Sequence, residues 1–146
     1  MKKIIIFVFL ALILGFLFYF FKNDLLKEKV KKIHTPNKIY NVLIAKDLEE
    51  RRLGLSYTKS LDINTVVLFD LGAPGNYGFW MKDMNYPLDI VFLDENMFVI
   101  SFIDDADPSS YPRIFYPQSP ASFAIEMNAG ERMISGLAKN IKVYYK

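Results

Sequence analysis

The sequence predicts a mostly β domain: a compact β-sandwich or jelly-roll-like fold with one or two short helices, preceded by a single N-terminal transmembrane helix. Three observations carry this reading. Near its start the 146-residue chain has 18 consecutive uncharged residues, IIIFVFLALILGFLFYFF at 4–21. The rest holds seven short runs rich in β-branched and aromatic residues, separated by Gly, Pro, Asn and Asp clusters. The composition, 52% hydrophobic and 23% charged, is that of a globular chain able to build a core and not of a disordered one.

The apolar run comes first. As a helix it spans ~27 Å at ~1.5 Å per residue, close to the ~30 Å hydrocarbon core of a bilayer. Lys2 and Lys3 precede it, and Tyr19 and Lys22 close it, which suits an interface. Its end, Phe-Leu-Phe-Tyr-Phe-Phe, offers no small-residue cleavage site. Residues 1–22 are therefore expected to be an uncleaved signal anchor with membrane lipid as partner. Both flanks are Lys-rich, but a short N-terminal tail usually stays inside, so the C-terminal domain is expected to be extracytoplasmic. Residues 23–36 follow as a Lys-rich stalk. Leu26, Val30 and Ile33 lie on one helical stripe, with Lys turned to solvent or anionic lipid. Pro36 ends that helix. His34 falls in the stalk and is expected to be neither catalyst nor ligand.

Residues 37–146 form the globular domain. Strands are expected at 38–45 (KIYNVLIA), 65–69 (TVVLF), 78–81 (GFWM), 90–93 (IVFL), 98–103 (FVISFI), 121–127 (ASFAIEM) and 141–145 (IKVYY). Their number and the turns between them suggest a sandwich or barrel. One helix interrupts them. Asp47 followed by Glu50 makes a capping box, and Gly54 is its stop. Asp94-Glu95-Asn96-Met97 is expected to be a hairpin turn with Asn96 at positive φ. Residues 104–120 form a long connection with four prolines, either functional or simply stiff.

Charge and residue counts narrow the function. The net charge is +2, but residues 1–35 hold seven Lys against two acids, whereas 36–146 hold 11 basic and 14 acidic side chains. The domain itself is mildly acidic, which argues against a nucleic-acid partner. With no Cys and one His, a disulfide framework, a thiolate metal site and the common nucleophile–base pairs are absent from the sequence. Asp104, Asp105 and Asp107 form an acidic cluster that lacks the EF-hand pattern and reads better as a solvated turn. No cofactor and no metal is expected.

Four stretches make the chain resemble a known family. Glu50-Arg51-Arg52-Leu53-Gly54-Leu55 is similar to an ER-x-x-GL element. Gly78-Phe79-Trp80-Met81-Lys82 with Tyr86-Pro87-Leu88-Asp89-Ile90 is similar to an FWMK…PLDI signature, which Phe92-Leu93-Asp94 continues. Pro120-Ala121 through Ile125-Glu126-Met127-Asn128-Ala129-Gly130 is similar to a closing PA…LEL-x-AG element. Over roughly 38–146 the chain resembles the uncharacterised bacterial and archaeal family called domain of unknown function 192. It departs from the usual pattern at Ser56, Val66-Val67, Asp83-Met84 and Lys139-Asn140. The resemblance implies a compact, mostly β, jelly-roll-like domain, often behind a signal peptide, and no established activity.

Six residues are candidates for a ligand site: Arg51, Trp80, Lys82, Tyr86, Asp89 and Glu126. The four charges could surround Trp80 and Tyr86, which could stack on a small or glycan-like ligand. A buried Glu126 needs a partner, and Arg51 or Arg52 is the obvious one. The same charges could instead be ion pairs that pin loops. A membrane-anchored extracytoplasmic binding module is the leading function. An envelope assembly factor that uses exposed aromatics is the first alternative. A hydrolase working through two carboxylates such as Asp89 and Glu126 is the second, so whether the chain is an enzyme stays open.

Overall fold

The computed structural model describes residues 31–146. The anchor expected at 1–22 and the stalk residues up to 30 lie outside the described residues. No described helix is long and apolar enough to cross a membrane.

The domain is mostly β with two short helices. In chain order the strands are β1 (Lys32–His34), β2 (Ile39–Ala45), β3 (Thr65–Gly75), β4 (Phe79–Trp80), β5 (Leu88–Leu93), β6 (Val99–Ala106), β7 (Ile114–Phe115), β8 (Ala121–Asn128) and β9 (Tyr144–Tyr145). The helices are α1 (Leu48–Leu53) and α2 (Glu131–Ser135). Seven strands form one sheet in the order β6-β5-β8-β3-β2-β1-β9, and β4 pairs with β7 in a small second sheet.

The large sheet closes on itself. Residues 140–143, which lead into β9, bond to the start of β6 at the opposite edge. Val99 N–H donates to Ile141 O (2.9 Å), Asn140 N–H to Val99 O (2.8 Å) and Val143 N–H to Met97 O (2.9 Å). The result is a ring of strands closed at the start of β6, which shortens the edge open to edge-to-edge pairing. A sandwich or barrel was the expectation, and the single seven-stranded sheet answers to the barrel and not to two facing sheets. Long strands such as β3 coil far enough to return, and the second layer is only the β4–β7 pair. The parallel pairing of β2 with β3, joined through α1, also breaks the antiparallel pattern of a jelly roll.

The stalk expectation needs a similar correction. Lys32–His34 is a strand, pairing with β2 (Ile33 opposite Tyr40) and with β9 (Ile33 opposite Tyr145). Ile33, placed on a helical stripe by its spacing, is fully buried in the ring. His34 likewise belongs to the domain, on β1. Three residues of helical spacing weigh little against burial between two partner strands.

Strand alternation divides the core in two. Ile33, Tyr40, Val42, Val66, Leu68, Val91, Leu93, Val99, Ile125, Met127 and Val143 fill the inside of the ring, together with Leu137. Val67, Phe69, Leu71, Leu88, Ile90, Phe92 and Ala124 point outward and are covered by Phe79, Met81, Leu55 and Phe115. β5 and β8 are thus buried on both faces, so their sequences read as continuous apolar runs. Phe79 meets Phe69 and Phe92 edge-on at centroid distances of 5.1 and 5.5 Å, fastening the small sheet to the large one.

Local signals hold where the chemistry is local. Asp47 caps α1 with both bonds of the capping box: Glu50 N–H donates to Asp47 Oδ1 (2.8 Å), and the Glu50 carboxylate accepts from Asp47 N–H (3.2 Å). Asp47→Ala should therefore cost about 1 kcal/mol in urea unfolding. At the 94–97 turn the left-handed residue is Met97 (φ 64°) and not Asn96. Asp94 Oδ1 accepts from both Asn96 N–H and Phe98 N–H, which moves the strained position one residue on. The 104–120 connection is more ordered than its prolines suggest. Asp104 still lies in β6, Asp107 Oδ1 caps a short 3-10 turn at Pro108–Ser110, and β7 follows.

Candidate functional site

The outer face of β3 and β8 carries a pocket beneath α1. It encloses about 360 Å³, within the usual range for small-molecule sites. Leu48 and Leu53 of α1, Phe69 and Leu71 of β3, and Trp80 of β4 contribute to an apolar wall, with Tyr77, Phe79, Leu55 and Met84 beside them. Glu126, on β8, also lines it.

Glu126 is the unusual group. It is 94% buried, and its Oε2 has no hydrogen-bond partner. Burial pushes its carboxyl up to about 8. The domain's other buried acids are satisfied. Glu131 Oε2 accepts from Lys38 Nζ (2.6 Å) and Tyr40 Oη (2.7 Å). Asp89 accepts from two backbone N–H groups: Asp105 to Oδ1 and Arg132 to Oδ2, both at 2.9 Å. A lone buried acid costs stability, so a fold that keeps one uses it elsewhere.

The expected pairing with arginine does not form. Arg51 Nη1 donates to Asp70 O (2.8 Å) and Arg52 binds Glu49 (2.9 Å), so both guanidiniums are engaged away from the carboxyl. Gly54 makes room instead. Its φ of 48° with ψ −123° is open to glycine alone, and a Cβ there would sit 3.3 Å from Phe69 Cζ and 3.6 Å from Glu126 Oε2. Gly54→Ala should cost about 1–2 kcal/mol in urea unfolding and narrow the approach to the carboxyl.

The six candidate residues separate into three groups. Arg51, Trp80 and Glu126 line the pocket, with Trp80 42% exposed at its rim rather than in the core. Lys82 and Tyr86 hold loops. Lys82 O accepts from Ser56 Oγ (2.9 Å) while its side chain is exposed, and Tyr86 Oη bonds Thr58 Oγ1 (2.7 Å). Tyr57 Oη donates to Asp83 Oδ2 (2.7 Å) and Asn85 Nδ2 to Thr58 O (2.7 Å). Together these bonds stitch the exit of α1 to the β4–β5 loop and set the pocket wall at Met84. Asp89 lies apart. Ile90 is opposite Glu126 and Asp89 is opposite Met127, so the two carboxylates point to opposite faces of one sheet. They cannot act on one bond, and the Asp89–Glu126 hydrolase pair is corrected on this ground.

Asp89 caps α2 from a distance. Gly130, at the N-cap, offers no side chain, and Asp89 Oδ2 takes the Arg132 N–H in its place. The Arg132 guanidinium binds both carboxylate oxygens of Asp104 and Leu137 O, and lies 3.8 Å from the centroid of the Phe102 ring. The acidic cluster at 104–107 is thus partly used in an ion pair. Sequence reasoning missed this network and most of the apolar pocket wall. The one available signal was the acid inside the apolar run Ile125-Glu126-Met127.

Fold and pocket together define a small closed-sheet domain that holds one buried, unpartnered acid in an apolar pocket on its outer face. The chain belongs to the domain of unknown function 192 family (DUF192: Uncharacterized ACR, COG1430), whose model matches residues 29–144. A protein from Sinorhizobium meliloti 1021, provisionally described as a transcription regulator, has a similar structure. Its TM-score is 0.72 at 24% identity, over 79% of this chain and 91% of that one. A protein of unknown function from Novosphingobium aromaticivorans DSM 12444 is also similar, with a TM-score of 0.72 at 22% identity over 78% and 82%. Likeness at this identity carries the fold alone. No curated protein matches the chain.

Proposed function

We propose that this protein is a membrane-tethered binding module for a small, largely apolar molecule that offers one hydrogen-bonding group to Glu126. The observation that carries the reading is the Glu126 carboxyl, buried without a partner in a pocket of about 360 Å³. A largely apolar wall with few polar groups, of which Glu126 alone is buried and unpartnered, fits an amphipathic molecule better than a glycan, whose many hydroxyls need many partners. The uncharged run at 4–21 supports the tether.

Two measurements test it. The full chain should stay with membranes through an alkaline wash, and its release would overturn the tether. Residues 31–146, one compact unit that contains both core clusters, should gain thermal stability with an amphipathic ligand from a panel of small amides, alcohols, phenols and amines. At about 100 times the dissociation constant the gain is roughly 2.7 kcal/mol. Glu126→Leu and Trp80→Ala should abolish or weaken that shift. A shift left unchanged by Glu126→Leu would overturn the assignment of the pocket.

A further inference from the structure

The outer face of the ring is covered only in part. Over β3, β8 and β5, and at Ala45 at the end of β2, it lies under the small sheet and α1, whereas the outward residues Ile39 and Leu43 of β2 and Tyr144 of β9 are exposed. On β2 the outward positions are Ile39, Asn41 and Leu43, alternating with buried Tyr40 and Val42. Across the pairing, Ile39 stands opposite His34, which stands opposite Tyr144, and Asn41 stands opposite Lys32. Lys142, two residues before Tyr144, pairs with Phe98 of the closing seam. Its Nζ lies 5.2 Å from the Phe98 ring centroid and 5.8 Å from that of Tyr144. Leu43 and Tyr144 are 55% and 56% exposed.

We propose that this face, formed by β2, β1 and β9, docks flat on an anionic lipid surface. The composition points there. Exposed Ile39, Leu43, Phe98 and Tyr144 are interleaved with Lys32 and Lys142, and none of the outward positions named carries a carboxylate. That is how interfacial surfaces are built, with apolar and aromatic groups at head-group depth and Lys on phosphate. The charge is local: residues 31–146 have 13 basic and 14 acidic side chains, so a basic face on this domain is a segregated feature. Chain length agrees. Only ten residues separate Phe21, the end of the uncharged run, from Lys32 of β1, in the middle of this face. Fully extended they reach at most about 35 Å. This inference is independent of the pocket and uses the tether reading only for proximity.

The test leaves out the anchor, so it reads the face alone. Residues 31–146 are sedimented with vesicles of phosphatidylcholine, or of phosphatidylcholine containing about 40% phosphatidylglycerol. Partitioning should be at least roughly tenfold stronger on the anionic vesicles and should fall steeply in about 0.5 M salt. Lys32→Glu with Lys142→Glu should abolish it. Leu43→Asn with Tyr144→Ser should weaken it, and thermal unfolding should show all variants folded. Partitioning that is absent, equal on both vesicles or unchanged by the charge reversals would overturn the proposal. So would a dimer in sedimentation velocity that dissociates in the same variants, which would assign the face to a second copy of the chain.

Discussion

Unfolding free energy of residues 31–146 should fall as the pH is raised from about 5 to about 9, and Glu126→Gln should flatten the fall. The sign follows from which state holds the proton. In the fold burial pushes the Glu126 carboxyl up to about 8, against an ordinary value of 4.5 once the chain unfolds. Between those values the native state is protonated and the unfolded state is not, so each added pH unit favours unfolding by about 1.4 kcal/mol. The contribution is fully present below the unfolded value, declines above it and is lost as the pH rises through about 8. The total is a few kcal/mol, a large share of the ~5–15 kcal/mol that holds a typical domain. Glu126→Leu should be more stable than wild type near neutral pH, because it removes an unpartnered buried acid. Urea unfolding across the pH range checks both results. A flat wild-type profile would mean that the carboxyl finds a partner or water.

Asp89→Ala should have the opposite character. Both Asp89 oxygens accept backbone N–H groups, one from the end of β6 and one from the first turn of α2. Removing the carboxylate leaves two donors unsatisfied at a position that is 1% exposed. The expected loss is about 2–4 kcal/mol in urea unfolding. Ligand-induced thermal shifts should survive wherever the variant still folds, because Asp89 and the pocket are on opposite faces of the sheet. Together the variants separate the two acids: Asp89 supports the fold, and Glu126 is kept at a cost to it.

Lys82 and Tyr86, candidates for the ligand site, do not line the pocket. Their motif reads as a site because Lys, Tyr and Asp stand within eight positions of one another. Folding sends the Lys82 side chain to solvent, ties Tyr86 to Thr58 and turns Asp89 to the other face. What the motif builds is the wall and support of the pocket.

Several features follow from the sequence alone. The mostly β character, the span of α1 between Asp47 and Gly54 and the positions of the main strands rest on caps, turns and side-chain periodicity, which act within a few residues. The same holds for the family and for Glu126 as a candidate. Other features needed the tertiary structure. Lys32–His34 is a strand because β2 and β9 flank it, although its own spacing favours a helix. The sheet closes because residues 140–143 meet Met97 and Val99, some forty positions earlier in the chain. Arg51 does not pair with Glu126, because its guanidinium donates to Asp70 O, nineteen positions on in the chain. Above all, the faces of Asp89 and Glu126 were hidden in runs that are apolar on both sides. Where both faces of a strand are buried, alternation carries no information, and only the register between β5 and β8 decides which way an acid points.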